Sequence, residues 1–146
     1  MSNGPTVAYK GTRQQILALL YEYSWGYDSN DMPLMGGTFK EGGRTGGVVA
    51  NSTIGWGPWQ GRDEIVSQLS AIRCSQPDRR RHVLTSPIFE ELSESHAVVR
   101  VYLSLFSYGN GAAPHLVTTG EYVMKASKQD GVWLMDLLEE VLESAF

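Results

Sequence analysis

The stretch YEYSWGYDSND, residues 21–31, places a phenol and a carboxylate side by side, at Tyr27 and Asp28, where an amphipathic helix is expected to end. Upstream of this point, apolar residues recur three and four positions apart, which is the spacing of one face of an α-helix. Tyr27 therefore belongs to the face that meets the core. Asp28, the next residue, lies at the edge of that face. The residues of the apolar face are Ile16, Leu19, Leu20, Tyr23 and Tyr27.

Two further helices are predicted downstream. Asp31 and Pro33 favour a short helical turn, because proline is well suited to the first position of a helix. A longer helix is expected to begin at Gly61. Asp63 and Glu64 lie in its first turn, where the helix dipole favours negative charge. The apolar face of this longer helix is Ile65, Val66, Leu69 and Ile72.

After Pro77 the pattern changes from helical spacing to alternation, which predicts strands near 82–91, 96–108, 115–127 and 132–140. Turn-forming residues separate these segments. Helices followed by a run of antiparallel strands indicate the α+β class. We expect residues 1–10, which lack periodicity, to form an N-terminal arm, and residues 11–146 to form one domain.

Glycines crowd the region between residues 36 and 57. Because glycine weakens a strand and often marks a loop, we interpret this region as two short strands, around 38–40 and 48–54, joined by a mobile loop. The segment 40–47 is expected to be the most mobile internal part of the chain and to border the entrance of a cavity.

Bulk composition narrows the class of protein. The chain has 146 residues, which suits one core, and a formal net charge of −4, which argues against a nucleic-acid partner. The single cysteine, Cys74, has no partner for an internal disulfide and is expected to be buried. No apolar run approaches the roughly 20 residues of a membrane span, so we expect no membrane association and a cytoplasmic location.

Three pieces of the sequence, taken in order, resemble scytalone dehydratase. They are the stretch at 21–31, RHVL at residues 81–84 with His82 at the head of a strand, and DGVW at residues 130–133 before the last strand. The resemblance implies the cone-shaped α+β barrel of the nuclear transport factor 2-like or cystatin-like superfamily, in which a curved, mostly antiparallel sheet packs on N-terminal helices. That superfamily also contains ketosteroid isomerase and the SnoaL-like polyketide cyclases.

The resemblance also implies roles for individual residues. Asp28 would orient His82 by accepting a hydrogen bond from one ring nitrogen, which fixes the tautomer and leaves the other nitrogen as a base. Tyr27 would donate to a substrate carbonyl and stabilise the enolate. Neither a metal nor an organic cofactor is implied. Candidate residues for binding a small hydrophobic substrate are Leu103, Leu105, Ser107, Tyr122, Trp56 and His115.

The sequence departs from the dehydratase pattern in two places. Ser107 stands where the family has a second pocket histidine, and no tyrosine occurs between Tyr27 and Tyr102. The remaining Asp–His pair resembles that of the hexachlorocyclohexane dehydrochlorinase branch. An epoxide hydrolase would need an arginine and two acids in the pocket; Arg100 and Asp136 are available, but Tyr102 occupies the position of the intervening acid.

We therefore predict an enzyme, a lyase of the dehydratase type or an isomerase, acting on a small aromatic or polycyclic ketone. The alternative is a non-catalytic ligand-binding or interaction module, because this fold hosts both; an epoxide hydrolase or a polyketide cyclase is a third option. Apolar residues on the outward side of strand 96–108, such as Tyr102 and Phe106, indicate a homo-oligomer. The resemblance favours a trimer over a dimer.

Overall fold

The computed structural model describes residues 11–146, so the arm predicted for residues 1–10 lies outside the described residues. The helices and strands of the described part are α1 (Thr12–Ser29), α2 (Met32–Gly36), β1 (Phe39–Val49), β2 (Gly55–Gln60), α3 (Arg62–Ser75), β3 (Arg79–Leu92), β4 (His96–Tyr108), β5 (His115–Gln129) and β6 (Val132–Leu142).

The six strands form one curved, open sheet with the order β2-β1-β6-β5-β4-β3. Strands β3 to β6 follow one another as an antiparallel meander, and β1 joins the sheet parallel to β6. This arrangement confirms the α+β class and the curved, mostly antiparallel sheet packed on N-terminal helices that the sequence predicted. The four predicted C-terminal strands are all present, and β3 begins three residues earlier than expected.

The core lies between the helices and the inner face of the sheet. Every residue of the predicted apolar face of α1 is buried, which confirms the helical spacing. Strand β4 alternates as expected, because Val101, Leu103 and Leu105 are buried while Tyr102 is 56% exposed on the outer face. In α3, Ile65 and Leu69 are buried and their neighbours on the same face are partly buried.

The glycine-rich segment is not a loop between two short strands, so that part of the prediction was wrong, and its mobility stays a prediction. Residues 40–47 lie inside β1. Residues 44–47 pair with β2 on one side and β6 on the other, whereas the register with β6 shifts across residues 40–43. Glycine is needed here for close approach: a Cβ at Gly47 would lie 2.1 Å from a ring carbon of Trp56, and one at Gly46 would lie 2.8 Å from the Trp56 carbonyl oxygen. The strand therefore survives its glycines because its neighbours pack directly against the backbone.

Of two other local predictions, the first was confirmed and the second was wrong. The Asp31 carboxylate accepts a hydrogen bond from the Leu34 backbone N–H at 3.0 Å and caps α2, as expected. Cys74, which was expected to be buried, is exposed near the end of α3. Among the described residues, 11–146, no helix is long and apolar enough to cross a membrane.

Candidate active site

Asp28 and His82 meet where the last turn of α1 crosses the beginning of β3. One Asp28 carboxylate oxygen lies 2.6 Å from His82 Nδ1, and the other accepts a hydrogen bond from the His82 backbone N–H at 2.8 Å. Both side chains are largely buried, with exposed fractions of 16% for Asp28 and 9% for His82. The distance falls within the 2.6–3.2 Å that the Asp–His hypothesis requires. With Nδ1 committed to the carboxylate, Nε2 is the ring nitrogen left for other chemistry.

A second helix holds this end of α1 in place. The Arg73 guanidinium, from the last turn of α3, donates to the carbonyl oxygens of Tyr27 at 2.8 Å and Asp28 at 3.2 Å. These carbonyls belong to the C-terminal turn of a helix, where backbone acceptors lack intrahelical partners and a positive charge is favourable. Asn30 then ends the helix in the left-handed conformation, with φ of 60°. Arg73 thereby fixes the segment that carries both predicted catalytic residues.

His82 lines a small cavity enclosed by α1, α3 and the inner face of the sheet, with a volume of about 40 Å³. Most of its wall is apolar or aromatic, and five of the predicted site residues, Tyr27, Trp56, Leu103, Leu105 and Tyr122, lie in it. This volume holds water-sized molecules, whereas pockets that enclose drug-sized ligands measure about 300–1,000 Å³. The remaining lining residues are Tyr23, Leu69, Ile72, Gln76, Glu140, Leu142 and Phe146.

Asp28 faces a different concavity, an outer groove of about 410 Å³ between α1 and the strands β3 and β4. His82 lines this groove as well, so its ring stands between the groove and the inner cavity. The groove also contains Trp25, which is 62% exposed, and Tyr108, whose ring lies 4.5 Å below the Arg81 guanidinium carbon. Asp28 and His82 thus share the outer groove, whereas only His82 of the two lines the inner cavity with Tyr27.

Tyr27 packs beside the histidine rather than pairing with it. The two rings meet edge to face with centroids 5.1 Å apart, and the Tyr27 hydroxyl donates to Gln76 Oε1 at 3.0 Å. Burial raises the pKa of Tyr27 well above its usual range, and the negative charge of Glu140 adds to this effect. A phenol with so high a pKa is a weak acid, although it retains its one hydrogen-bond donor.

Glu140 is a site residue that the sequence reasoning missed. It lies in β6, is 7% exposed, and lines the inner cavity. Its Oε1 accepts a hydrogen bond from the Tyr23 hydroxyl at 3.0 Å, and the Tyr122 hydroxyl also favours the ionised form of the same carboxyl group. Burial raises the pKa of Glu140 to about 7, against the opposing effects of His82 and of the two phenols. The carboxyl group is therefore near its midpoint of titration at neutral pH.

Two predicted binding residues, Ser107 and His115, do not line the inner cavity. Ser107 is buried on the same face as Leu103 and Leu105, but it lies at the end of β4, where its hydroxyl donates to the Asp78 carboxylate. His115 is exposed at the start of β5, with Nδ1 at 3.1 Å from the Ala113 carbonyl oxygen. In the pairing of β4 with β5, Ser107 lies opposite His115 at one end of the sheet, beyond the cavity.

The residues needed by an epoxide hydrolase are not brought together. Arg100 pairs with Glu90 at 3.0 Å on the outer surface, and Asp136 pairs with Lys40 at 3.2 Å. Neither residue lines the cavity that contains His82. Within residues 11–146, no group of three His, Cys, Asp or Glu side chains is arranged to hold a metal ion.

The fold and the site define the class of protein: a cone-shaped α+β domain with a carboxylate–histidine pair at the wall of an apolar cavity. Residues 11–139 match the model of the SnoaL-like domain, and the chain belongs to this family. None of the curated proteins matches it in sequence.

Solved structures share the fold over most of the chain. A protein of unknown function with a cystatin-like fold from Nostoc punctiforme is 17% identical with a TM-score of 0.79, and the match covers 92% of each chain. A candidate scytalone dehydratase from Novosphingobium aromaticivorans is 21% identical with a TM-score of 0.70, covering 89% of this chain and 83% of that one. A protein from Catenulispora acidiphila in complex with S-DNPA is 16% identical with a TM-score of 0.75, covering 90% and 92%. At these identities the likeness shows the fold.

Proposed function

We propose that this protein is a lyase that removes the α-proton of a small aromatic or polycyclic ketone and expels a leaving group from the neighbouring carbon. The observation that carries the proposal is the 2.6 Å contact between Asp28 and His82 Nδ1, made by a histidine that also lines an apolar cavity. A histidine held in one tautomer by a buried carboxylate has its second nitrogen prepared for proton abstraction. An isomerase would share this first step and differ in where the proton is returned.

The reaction begins when His82 Nε2 takes the proton from the carbon next to the carbonyl group. The Asp28 carboxylate then faces an imidazolium, which it stabilises without taking the proton itself. The electron pair moves onto the carbonyl oxygen, and Tyr27 supplies a donor to that oxygen once its hydroxyl turns away from Gln76. The apolar walls at Leu103 and Leu105 favour a flat, hydrophobic ring system.

A substrate of this class requires the cavity to widen. The cavity wall includes Phe146 and Trp56, whose rings meet edge to face with centroids 5.1 Å apart. Phe146 is 39% exposed and lies outside the strands of the sheet. We infer that the substrate enters by moving Phe146 away from Trp56.

The test is exchange of the α-protons of 2-tetralone in D₂O, followed by ¹H NMR. This reaction needs the base alone and does not depend on knowing the physiological leaving group. We expect the protein to accelerate exchange and His82→Gln to reduce the acceleration by about 100-fold or more, the range for loss of a positioned base. The matched control is His96→Gln, which changes an exposed histidine bonded to Ser95 and is expected to leave the rate within about twofold.

A non-catalytic binding module is the second candidate, and the outer groove favours it. Its volume of about 410 Å³ is within the range of small-molecule sites without any rearrangement. Saturable binding of 2-tetralone with exchange no faster than in buffer would support the binding module and reject the lyase.

A further inference from the structure

The position of Glu140 is not explained by the packing of the fold. The other inward-facing residues of β6 are apolar, namely Trp133, Met135, Leu138 and Leu142. A carboxyl group among them is costly to bury, more so when it is ionised, and an apolar residue of similar size would serve the core as well. Glu140 is therefore a candidate for a chemical role.

The groups around Glu140 are arranged to suit both of its protonation states. Tyr23 from α1 donates to the Glu140 carboxyl group most strongly when that group is ionised, and Tyr122 from β5 likewise favours the ionised form. When Glu140 is protonated, it has one O–H donor of its own, on a side chain that lines the same cavity as His82. The cavity thus contains a base on β3 and an acid on β6.

We propose that Glu140 is the general acid of the elimination, giving its proton to the leaving hydroxyl group of the substrate. This inference rests on the proposed function, in which His82 is the base. The C–H bond breaks, its proton goes to His82 Nε2, and its electron pair moves onto the carbonyl oxygen to give the enolate. As the carbonyl group re-forms, the new C=C bond forms, the C–O bond breaks, and the departing oxygen takes the proton from Glu140, so that water leaves. Proton exchange with solvent returns His82 and Glu140 to their starting forms.

The state that follows this step is stabilised by the groups already in place. Glu140 becomes a carboxylate that accepts from Tyr23 and is also favoured by Tyr122, and His82 becomes an imidazolium whose positive charge favours that carboxylate. Burial raises the pKa of Glu140 to about 7, which keeps a protonated fraction available at neutral pH. The titratable groups that face Glu140 are Tyr23 and Tyr27 of α1, His82 of β3 and Tyr122 of β5.

The dependence of kcat on the leaving group tests whether Glu140 is the general acid. A hydroxyl group must be protonated to leave, whereas chloride leaves without a proton, so the probes are 3-hydroxy-1-tetralone and 3-chloro-1-tetralone, which both give 1-naphthol. We expect Glu140→Gln to lower kcat for the hydroxy compound by about 100-fold and for the chloro compound by less than about threefold. Glu139→Gln, a change at the exposed neighbour on β6, is the matched control and should alter neither rate.

The outcomes separate the two proposals. Equal slowing of both probes by Glu140→Gln, or no slowing of either, overturns the role of Glu140 and leaves His82 as the base. If neither probe is turned over in a way that depends on His82, the lyase proposal fails and the acid role fails with it.

Titration of the ¹³C-labelled protein gives a readout that does not depend on turnover or on the folding of a Glu140 variant. The Glu140 carboxyl signal should change with a midpoint near pH 7, and His82→Gln should move that midpoint upward because the attraction of the imidazolium is lost. A carboxyl signal that stays ionised down to pH 5 overturns the proposal, since such a group has no proton to give at neutral pH.

Discussion

Asp28 holds His82 at two points, through its ring Nδ1 at 2.6 Å and its backbone N–H at 2.8 Å. The two bonds use both carboxylate oxygens and join the end of α1 to the beginning of β3. Because the ring and the backbone of the same residue are fixed by one group, His82 has little freedom to rotate. A base held in this way is oriented before the substrate arrives.

Replacing Asp28 by Asn should therefore impair the base without unfolding the protein. The amide keeps the size of the carboxylate, but it loses the negative charge that favours an imidazolium and has an N–H₂ group where one acceptor was. We expect the rate of 2-tetralone proton exchange to fall by about 100-fold. Asp136→Asn, which removes a surface pair with Lys40, is the control. Exchange at the wild-type rate in Asp28→Asn would show that the pair is structural.

Glu140 should make the stability of the protein depend on pH. Its pKa is raised from 4.5 to about 7 in the folded protein, so the folded state binds more protons than the unfolded state between these values. The stabilisation is complete below pH 4.5 and is lost as the pH rises through 7. From pH 5 to pH 8 the free energy of unfolding should fall by about 2 to 3 kcal/mol on account of this group.

Urea unfolding at both pH values measures that change. Glu140→Gln should abolish it, because the amide does not titrate, and Glu139→Gln should retain it. The same pH dependence in wild type and Glu140→Gln would mean that Glu140 is ionised throughout.

Substitution of Gly47 tests whether the glycine-rich segment is a packed strand and not a loop. A Cβ at this position meets Trp56 at 2.1 Å and the Glu140 carbonyl oxygen at 2.7 Å, so Gly47→Ala should lower the free energy of unfolding by about 1 to 3 kcal/mol. Gly42→Ala is the matched control: it lies in the same strand with no atom within 4 Å, and its effect should stay within about 0.5 kcal/mol. Equal effects of the two substitutions would restore the loop interpretation.

Phe146 should control entry to the cavity. Phe146→Ala removes the edge-to-face contact with Trp56, and we expect faster association of 2-naphthol, a stable analogue of the enol, in stopped-flow fluorescence. Phe146→Leu keeps most of the bulk and should stay close to wild type. An association rate unchanged by the alanine substitution would place the entrance elsewhere.

Oligomeric state remains a prediction that sedimentation equilibrium decides. Register aligns Val48, Val141, Glu121 and Tyr102 in one row across β1, β6, β5 and β4, and the two valines and Tyr102 are exposed on the outer face of the sheet. Such a face is unusual for a monomer. At micromolar concentration we expect a mass of about 48 kDa, three chains of 16.1 kDa, and a shift toward the monomer in Tyr102→Glu. A mass near 16 kDa contradicts any stable assembly, and one near 32 kDa indicates a dimer.

The sequence by itself determined the elements whose signal is local. The helical spacing in α1 and the alternation in β4 are periodic patterns, and each follows from which face of one element meets the core. The stretch at 21–31 and His82, through their resemblance to a known family, also predicted the Asp28–His82 contact. Tertiary structure then supplied what the pattern lacked, namely the clamp by Arg73 that holds the end of α1.

The inward orientation of Glu140 could not be predicted from alternation, because the register of β6 changes along the strand. The inward residues are Trp133 and Met135 before residue 136 but Leu138, Glu140 and Leu142 after it, because the pairing with β5 shifts by one residue between Met135 and Leu137. Strict alternation from Trp133 would turn Glu139 inward and Glu140 to solvent, and one inserted residue reverses the faces. The glycines of β1 were misinterpreted for a related reason. Their tendency to form a loop is local, whereas the contacts that keep them in a strand come from Trp56 and β6, which only the folded sheet brings alongside.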